Sequence, residues 1–161
     1  MQINTIRFGQ VEIDDNKIII FKDGIPGLEE YHDFAILRFE DSYPIIWLQS
    51  IQDEAVCLPV LDTFTVMPDY AFNIDDEDVK ELELIGPEDL HIISVLVIPD
   101  NIEQMTMNLA APVIINLSTG KAKQIILGGG DYNARFPIFQ KLCDLIRGEG
   151  EADAGSVTEA E

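Results

Sequence analysis

The apolar residues near the start of the chain follow the spacing of β-strands. Val11 and Ile13 alternate with the polar Glu12, which is typical of a strand with one buried face. The apolar run Lys17–Phe21 begins just after the turn-forming sequence at residues 14–16, Asp-Asp-Asn. Two strand patterns separated by a short turn predict a β-hairpin in this part of the chain.

Further strand patterns follow without any long helical segment between them. Residues 34–39, 45–50 and 56–60 are rich in β-branched, aromatic and other apolar residues. Pro59 predicts that the last of these runs is an edge strand or carries a bulge, because proline cannot donate to a sheet ladder. The lone tryptophan, Trp47, is expected in the core.

The second half of the chain repeats this pattern and adds the helical signals. Residues 91–98 predict a strand, and residues 113–117 and 121–127 predict a hairpin around the turn Ser-Thr-Gly. Apolar residues at helical spacing predict short helices over residues 76–85 and 136–146. The fold class that these elements favour is mainly β, a small antiparallel β-barrel-like or sandwich domain with two or three short helices.

The composition changes after Arg147. The last fourteen residues contain no lysine or arginine and almost no large apolar side chain. We therefore interpret residues 1–147 as the folded β domain and residues 148–161 as an acidic disordered tail. At 161 residues the whole chain has the length of one domain.

Charge is the extreme property of the composition. Thirty acidic residues against ten basic residues give a net charge of −20. Such a surface repels phosphate, so direct binding of nucleic acid is disfavoured. It favours fast encounter with basic partners, an attraction that weakens as salt rises. Solubility alone also accounts for an acidic composition, so charge leaves both explanations open.

The expected compartment is the cytoplasm. No apolar run approaches the roughly 20 residues that a membrane-spanning helix needs, so no membrane association is expected. The first residues lack the basic start and small-residue cleavage site of a signal peptide. Cys57 and Cys143 lie far apart between apolar neighbours, which predicts buried free thiols and a reducing environment.

The sequence offers no convincing catalytic, metal-binding or cofactor-binding constellation. The acidic run Asp75–Asp78 lacks the spacing and the glycine of a calcium loop, and it is better explained as the start of a helix. The triple glycine at residues 128–130 is not followed by the residues of a phosphate-binding loop. A metal-dependent hydrolase or nuclease with Asp69 and Asp78 as ligands is the remaining enzymatic alternative. The leading expectation is a protein that is not an enzyme and carries no cofactor.

Residues 105–116, with the sequence Met-Thr-Met-Asn-Leu-Ala-Ala-Pro-Val-Ile-Ile-Asn, contain no nucleophile and no metal ligand, yet they resemble a known motif. The same segment occurs in the flagellar assembly factor FliW family. Residues 21–28, 47–50 and 124–127 also resemble that family in the same order, and Tyr132 and Arg135 follow. The resemblance extends from about residue 3 to residue 137.

The resemblance implies a small β-barrel-like protein without catalytic activity. FliW proteins bind flagellin in the cytoplasm, and in many bacteria they also bind the translational regulator CsrA. The two partners compete, so that flagellin in excess releases CsrA to repress flagellin mRNA. A chaperone that binds flagellin and ignores CsrA is an alternative that the resemblance leaves open.

Candidate contact residues come from the segments that carry the resemblance. The expected partner surface comprises Pro26, Gly27, Gln49, Asn108, Leu109 and Pro112. A second candidate surface, for CsrA, comprises Asp75, Asp76, Glu77 and Asp78. A scaffolding role is the competing interpretation for the first set. Asn108, for example, could contact a partner or could cap its loop through its own backbone.

Overall fold

The computed structural model describes residues 1–155, and side chains as far as residue 148. Short strands dominate this part of the chain, and three α-helices complete it. The strands are β1 (Gln2–Thr5), β2 (Gly9–Glu12), β3 (Ile19–Phe21), β4 (Asp33–Leu37), β5 (Ile46–Ser50), β6 (Cys57–Asp62), β7 (Leu90–Val97), β8 (Thr106–Met107), β9 (Val113–Asn116), β10 (Lys121–Gln124) and β11 (Phe136–Pro137). The helices are α1 (Thr63–Val66), α2 (Asp76–Glu81) and α3 (Phe139–Gly155).

Seven of the described strands close into a barrel. Their order is β7, β6, β5, β4, β3, β10 and β9, and β9 pairs back onto β7. The predicted class, mainly β and barrel-like with a few short helices, is therefore confirmed. One pair in the barrel is parallel, because Lys121 and Ala122 of β10 lie beside Ile20 and Phe21 of β3.

Two apolar cores lie on the two faces of the strands β7 and β9. The barrel interior is filled by large side chains such as Phe21, Phe34, Leu48 and Ile93, all of which are fully buried. The second core lies outside the barrel wall, beneath the helices, and includes Leu82 after α2 and Leu142 of α3. Alternating side chains on each strand supply both cores, as the pleat requires.

The predicted N-terminal hairpin is wrong, because its two strands do not pair with each other. β2 pairs with β1, while β3 pairs with β4 and β10 inside the barrel. The reason is an additional strand at the N-terminus, where Ile3 and Thr5 are buried and pack the small sheet on the barrel. Apolar packing stabilises this sheet, because Ile3 shares a core with Leu37 and Trp47. The expected burial of Trp47 is confirmed.

Pro59 lies in β6, which has a neighbouring strand on each side, but one side of β6 is unpaired at Pro59 itself. β6 pairs with β5 through Trp47 and Pro59, but its pairing with β7 covers only residues 60–62. Beyond Val60 on that side, β6 has no neighbouring strand among the described residues. Proline is tolerated there because no ladder partner requires its missing N–H group.

The helices differ from the prediction at their ends. α2 is shorter than expected because Glu83 adopts a left-handed conformation, with φ of 55°. α3 begins at Phe139 and continues to Gly155, beyond the expected end at Ile146. Glutamate and alanine after residue 148 are strong helix formers, which accounts for a helical rather than irregular backbone there. The segment predicted as an acidic disordered tail overlaps this helix as far as residue 155. Residues 156–161 lie outside the described residues. The division of the chain after Arg147 stays a prediction.

Candidate partner-binding site at the barrel mouth

The segment at residues 105–116 forms one interrupted strand along β7. Its first part, β8, pairs with Leu96 and Val97, and its second part, β9, pairs with the beginning of the same strand. Residues 108–112 leave the ladder between these two parts, and we call them the bulge. The motif therefore encodes an interruption of the pairing along β7.

Hydrogen bonds from several elements hold the backbone of the bulge. The hydroxyl of Tyr70 donates to the carbonyl of Leu109 at 2.6 Å, in the buried region beneath the bulge. The side chain of Asn108 accepts from the N–H of Ala110 at 3.0 Å, which closes a local turn. Three further carbonyls of the bulge accept hydrogen bonds from residues 124–127, at the end of β10 and just after it. Ala110 accepts from Leu127 N, Ala111 from Gln124 Nε2 and Pro112 from Ile125 N.

The loop at residues 24–28 faces the bulge across the end of the barrel. Gly24 has φ of 74°, and a Cβ atom at this position would lie 2.6 Å from the Cα atom of Glu29. Only glycine fits such a close approach. The turn that follows is closed by the N–H of Leu28, which donates to the carbonyl of Ile25 at 2.6 Å. Ile25 is buried and places the loop over the barrel interior.

The loop and the bulge border a cleft of about 300 Å³, which we call the mouth. The mouth is open to solvent and lies at the lower end of the size range of ligand clefts. No charged side chain lines it. The lining residues are Ile25, Pro26, Leu28, Leu58, Val95, Asn108, Ala111, Gln124 and Ile126.

The structure divides the first set of predicted contact residues into two groups. Pro26 and Gly27 are exposed on the loop, and Asn108 is half-buried at the edge of the mouth. The other three members of the set, Gln49, Leu109 and Pro112, are buried. Neighbouring backbone and side chains cover these three residues in the described structure, and their contact with a partner stays a prediction.

Gln49 holds a loop rather than facing solvent. Its amide Nε2 donates to the carbonyl of Ser50 at 3.0 Å and lies 3.4 Å from the carbonyl of Glu54. Its Oε1 atom is buried without a hydrogen-bond partner among the described residues. The side chain therefore fixes the turn between β5 and β6, which supports the small N-terminal sheet.

The acidic run at the start of α2 is also divided. Asp75, Asp76 and Glu77 are exposed, as a docking surface for a basic partner requires. Asp78 is buried and lies 2.7 Å from the ammonium group of Lys123. Asp78, which the enzymatic alternative would use as a metal ligand, is thus paired with a cation. The hydrogen bond that Lys123 donates to Asp78 raises the pKa of Lys123.

Sequence analysis missed part of the mouth. Leu58, Val95 and Ile126 lie outside the predicted contact set, yet they form much of its apolar lining. Ile126 is 71% exposed, so its side chain is accessible to a partner. The signal in the sequence was the adjacent pair Ile125 and Ile126, because neighbouring residues of an extended chain point to opposite faces and one large apolar side chain must therefore lie on each face.

A larger cleft of about 410 Å³ lies on another part of the surface. It is bordered by the triple glycine, with Phe72 and Tyr132 on its walls. Tyr132 packs against Tyr70 at 4.5 Å between ring centroids, and its hydroxyl accepts from the N–H of Ala71. These contacts assign Tyr132 a role in supporting Tyr70, and through it the bulge.

The described residues contain no group of three or more histidine, cysteine, aspartate or glutamate side chains arranged to hold a metal ion. No helix in this part of the chain is long and apolar enough to span a membrane. Cys57 and Cys143 are both free and half-buried. The fold and the mouth thus define a small β-barrel protein with an apolar surface cleft built by two motif segments.

The chain belongs to the FliW family, because the family model described as FliW protein matches residues 2–138. A flagellar assembly factor FliW from Thermosipho africanus is 43% identical over 139 residues, which cover 86% of this chain and 95% of that protein. Another from Thermoanaerobacter pseudethanolicus is 41% identical over 143 residues, covering 88% and 95%. A crystal structure of the flagellar assembly factor FliW superposes with a TM-score of 0.80 at 32% identity, covering 86% and 97%.

Proposed function

We propose that this protein binds flagellin in the cytoplasm and sequesters the translational regulator CsrA, with the two partners competing for it. The observation that carries the proposal is an uncharged apolar mouth on a molecule of net charge −20, bordered by two of the segments that resemble the FliW family. The protein acts by binding and not by catalysis. It binds neither nucleic acid nor membrane directly.

An apolar cleft is the feature that capture of flagellin needs. The terminal segments of flagellin are amphipathic and bury one face in the filament, so a cytoplasmic partner must cover apolar surface. The mouth offers Leu58, Val95 and Ile126 for this purpose. Two residues form the rim of the mouth. Asn108 contributes a polar group and Pro26 a fixed backbone conformation, and such groups orient the bound segment in other peptide-binding clefts.

Charge is the feature that capture of CsrA needs. CsrA binds RNA, and an RNA-binding surface is basic because it must neutralise phosphates. The exposed carboxylates of Asp75, Asp76 and Glu77 attract such a surface. A strongly acidic molecule bound beside the RNA site also repels RNA. Asp78 serves this surface indirectly, by fixing α2 to Lys123.

Size-exclusion chromatography of the purified chain with flagellin monomer, with CsrA and with both tests the proposal. We expect a complex with each partner, and displacement of CsrA by flagellin in the mixture. Co-elution with flagellin alone would reduce the role to that of a dedicated flagellin chaperone. The absence of both complexes would refute the proposal.

Two variants locate the surfaces in the same assay. Ile126→Asp places a charge in the mouth and should weaken the flagellin complex. The triple change of Asp75, Asp76 and Glu77 to the corresponding amides should weaken the CsrA complex and make it less sensitive to salt. The combined change Glu40→Gln, Asp41→Asn and Glu103→Gln is the control of equal charge, because these three carboxylates are exposed, lie outside the acidic run and the mouth lining, and make no ion pair among the described residues.

A further inference from the structure

One wall of the mouth is an open strand edge. The parallel pairing of β10 with β3 ends at Ala122, while the chain continues beside the bulge as far as Leu127. The N–H groups of Ile125 and Leu127 donate to bulge carbonyls at 2.9 and 2.8 Å. Because successive N–H groups of an extended chain point to opposite sides, the N–H of Ile126 points away from the bulge, at a residue that lines the mouth.

The backbone of Ile126 is unpaired. Neither its N–H nor its carbonyl makes a hydrogen bond to another described residue. On the opposite wall, β6 pairs with β5 at Leu58 but has no strand partner there on its β7 side among the described residues, as described for Pro59. Exposed backbone groups beside an apolar cleft form a template to which an extended chain can add as a further strand.

The charge near the mouth restricts the partner. The loop at residues 24–28 is flanked by three exposed carboxylates, Asp23, Glu29 and Glu30, and by one exposed cation, Lys22. The N–H of Gly27 donates to Glu29 at 3.0 Å and lowers the pKa of that carboxyl group, which keeps it ionised. The lining itself is uncharged, so an apolar side chain inside and basic side chains at the rim form the complementary arrangement.

We propose that the mouth binds an extended peptide segment, which pairs with the backbone of Ile126, inserts one large apolar side chain and places a lysine or arginine beside the acidic loop. This inference rests on the proposed function, since it specifies how a protein partner engages the same site. It adds that the bound segment is a strand at its point of contact. A helix docked over the mouth would leave the N–H of Ile126 without an acceptor.

Amide hydrogen exchange, measured by NMR on the ¹⁵N-labelled full chain alone and in complex with flagellin or CsrA, tests this binding mode. We expect the amide of Ile126 to be protected by at least about tenfold in one of the complexes. A complex in which this amide exchanges at its free rate would overturn the inference and leave the proposed function standing. If neither partner forms a complex, both fall.

Two variants separate the backbone contact from the side-chain contact. Ile126→Pro removes the N–H group and should weaken the complex by at least about tenfold, within the range for one lost hydrogen bond to a buried acceptor. Ile126→Val keeps the N–H group and most of the side chain, and it should bind nearly as the wild type does. Equal weakening by both variants would contradict strand pairing. The exchange measurement on the wild-type chain remains decisive if the proline variant fails to fold.

Synthetic peptides test the expected charge. The probe is acetyl-Lys-Val-Leu-Val-Lys-amide, and its control replaces both lysines with glutamate. At low salt we expect chemical-shift changes at Ile126 and Leu58 with the lysine peptide, and binding at least about tenfold weaker for the control. Equal binding of the two peptides, or no shift with either, would overturn the assignment of a basic partner segment.

Discussion

Gly24 is the residue on which the shape of the mouth depends most directly. We expect Gly24→Ala to destabilise the protein by about 2 kcal/mol or more, because the alanine Cβ would overlap the backbone of Glu29 and also require a positive φ. Gly27→Ala is the matched control, since its φ is also positive, at 90°, but the space around it is open. It should cost about 1 kcal/mol. Urea unfolding measures both, and equal costs would show that close packing at Gly24 is unimportant.

Tyr70 connects the helical side of the molecule to the bulge. Tyr70→Phe removes the hydroxyl that donates to Leu109 and leaves a buried carbonyl unpaired, so we expect a loss of about 1–2 kcal/mol. Burial raises the pKa of Tyr70 well above its ordinary value, so the hydroxyl remains a donor throughout the neutral range. Chemical denaturation should show this loss. Tyr31→Phe, which removes a less buried hydrogen bond to Asp53, should cost less.

At the scale of single residues, the sequence indicated which residues belong to the motif, but not which of them are accessible and which support the fold. Asn108 and Leu109 are neighbours in the motif, yet one lies at the edge of the mouth and the other is 1% exposed in the second core. The break in the ladder between β8 and β9 separates their roles. Strand periodicity alone could not show that break, because the bulge is stabilised by Tyr70 and by the segment after β10, which are distant in sequence.

At the scale of elements, local signals predicted the hairpin of β9 and β10 and missed the partners of β3. The first depends on a short turn, and its antiparallel pairing is confirmed. The second depends on closing the barrel through a parallel pair between segments about one hundred residues apart. No short-range pattern encodes such a contact, which is fixed by the burial of both faces.

The junction between α2 and β10 permits a prediction with a defined pH dependence. We expect Lys123→Met to destabilise the protein by about 1–2 kcal/mol at neutral pH, because it leaves the buried Asp78 without its cation. Lys121→Met is the control on the same strand. Its partner Glu83 is exposed, so its effect should be smaller.

The sign of the pH dependence follows from the raised pKa of Lys123. A raised folded-state pKa contributes stability below the ordinary lysine value of 10.5, and this contribution is lost as pH rises through the folded-state value. The stability difference between wild type and Lys123→Met should therefore be constant near neutral pH and shrink above about pH 10.5. A difference that persists unchanged into strong alkali would show that packing of the lysine stem, and not its charge, is responsible.

At the scale of the whole molecule, the charge and the mouth serve different steps of binding. Long-range attraction depends on the sum of all charges and controls the rate of encounter. Short-range affinity depends on the apolar lining and on the unpaired backbone at Ile126. A change of distant carboxylates should thus alter association rates and their salt dependence, while a change in the mouth should alter dissociation rates.

Truncation after Arg147 tests this separation. Residues 148–161 carry five carboxylates and no basic residue, so their removal changes the net charge from −20 to −15. The described core contacts of α3 end near Leu142 and Leu145, so the melting temperature should change by no more than about 2 °C. Association with CsrA should slow at low salt and become less dependent on salt, with little change in dissociation. A full-length control with these five carboxylates changed to amides should behave in the same way. If the truncation alone lowers the melting temperature by many degrees, the C-terminal segment packs on the domain and contributes contacts as well as charge.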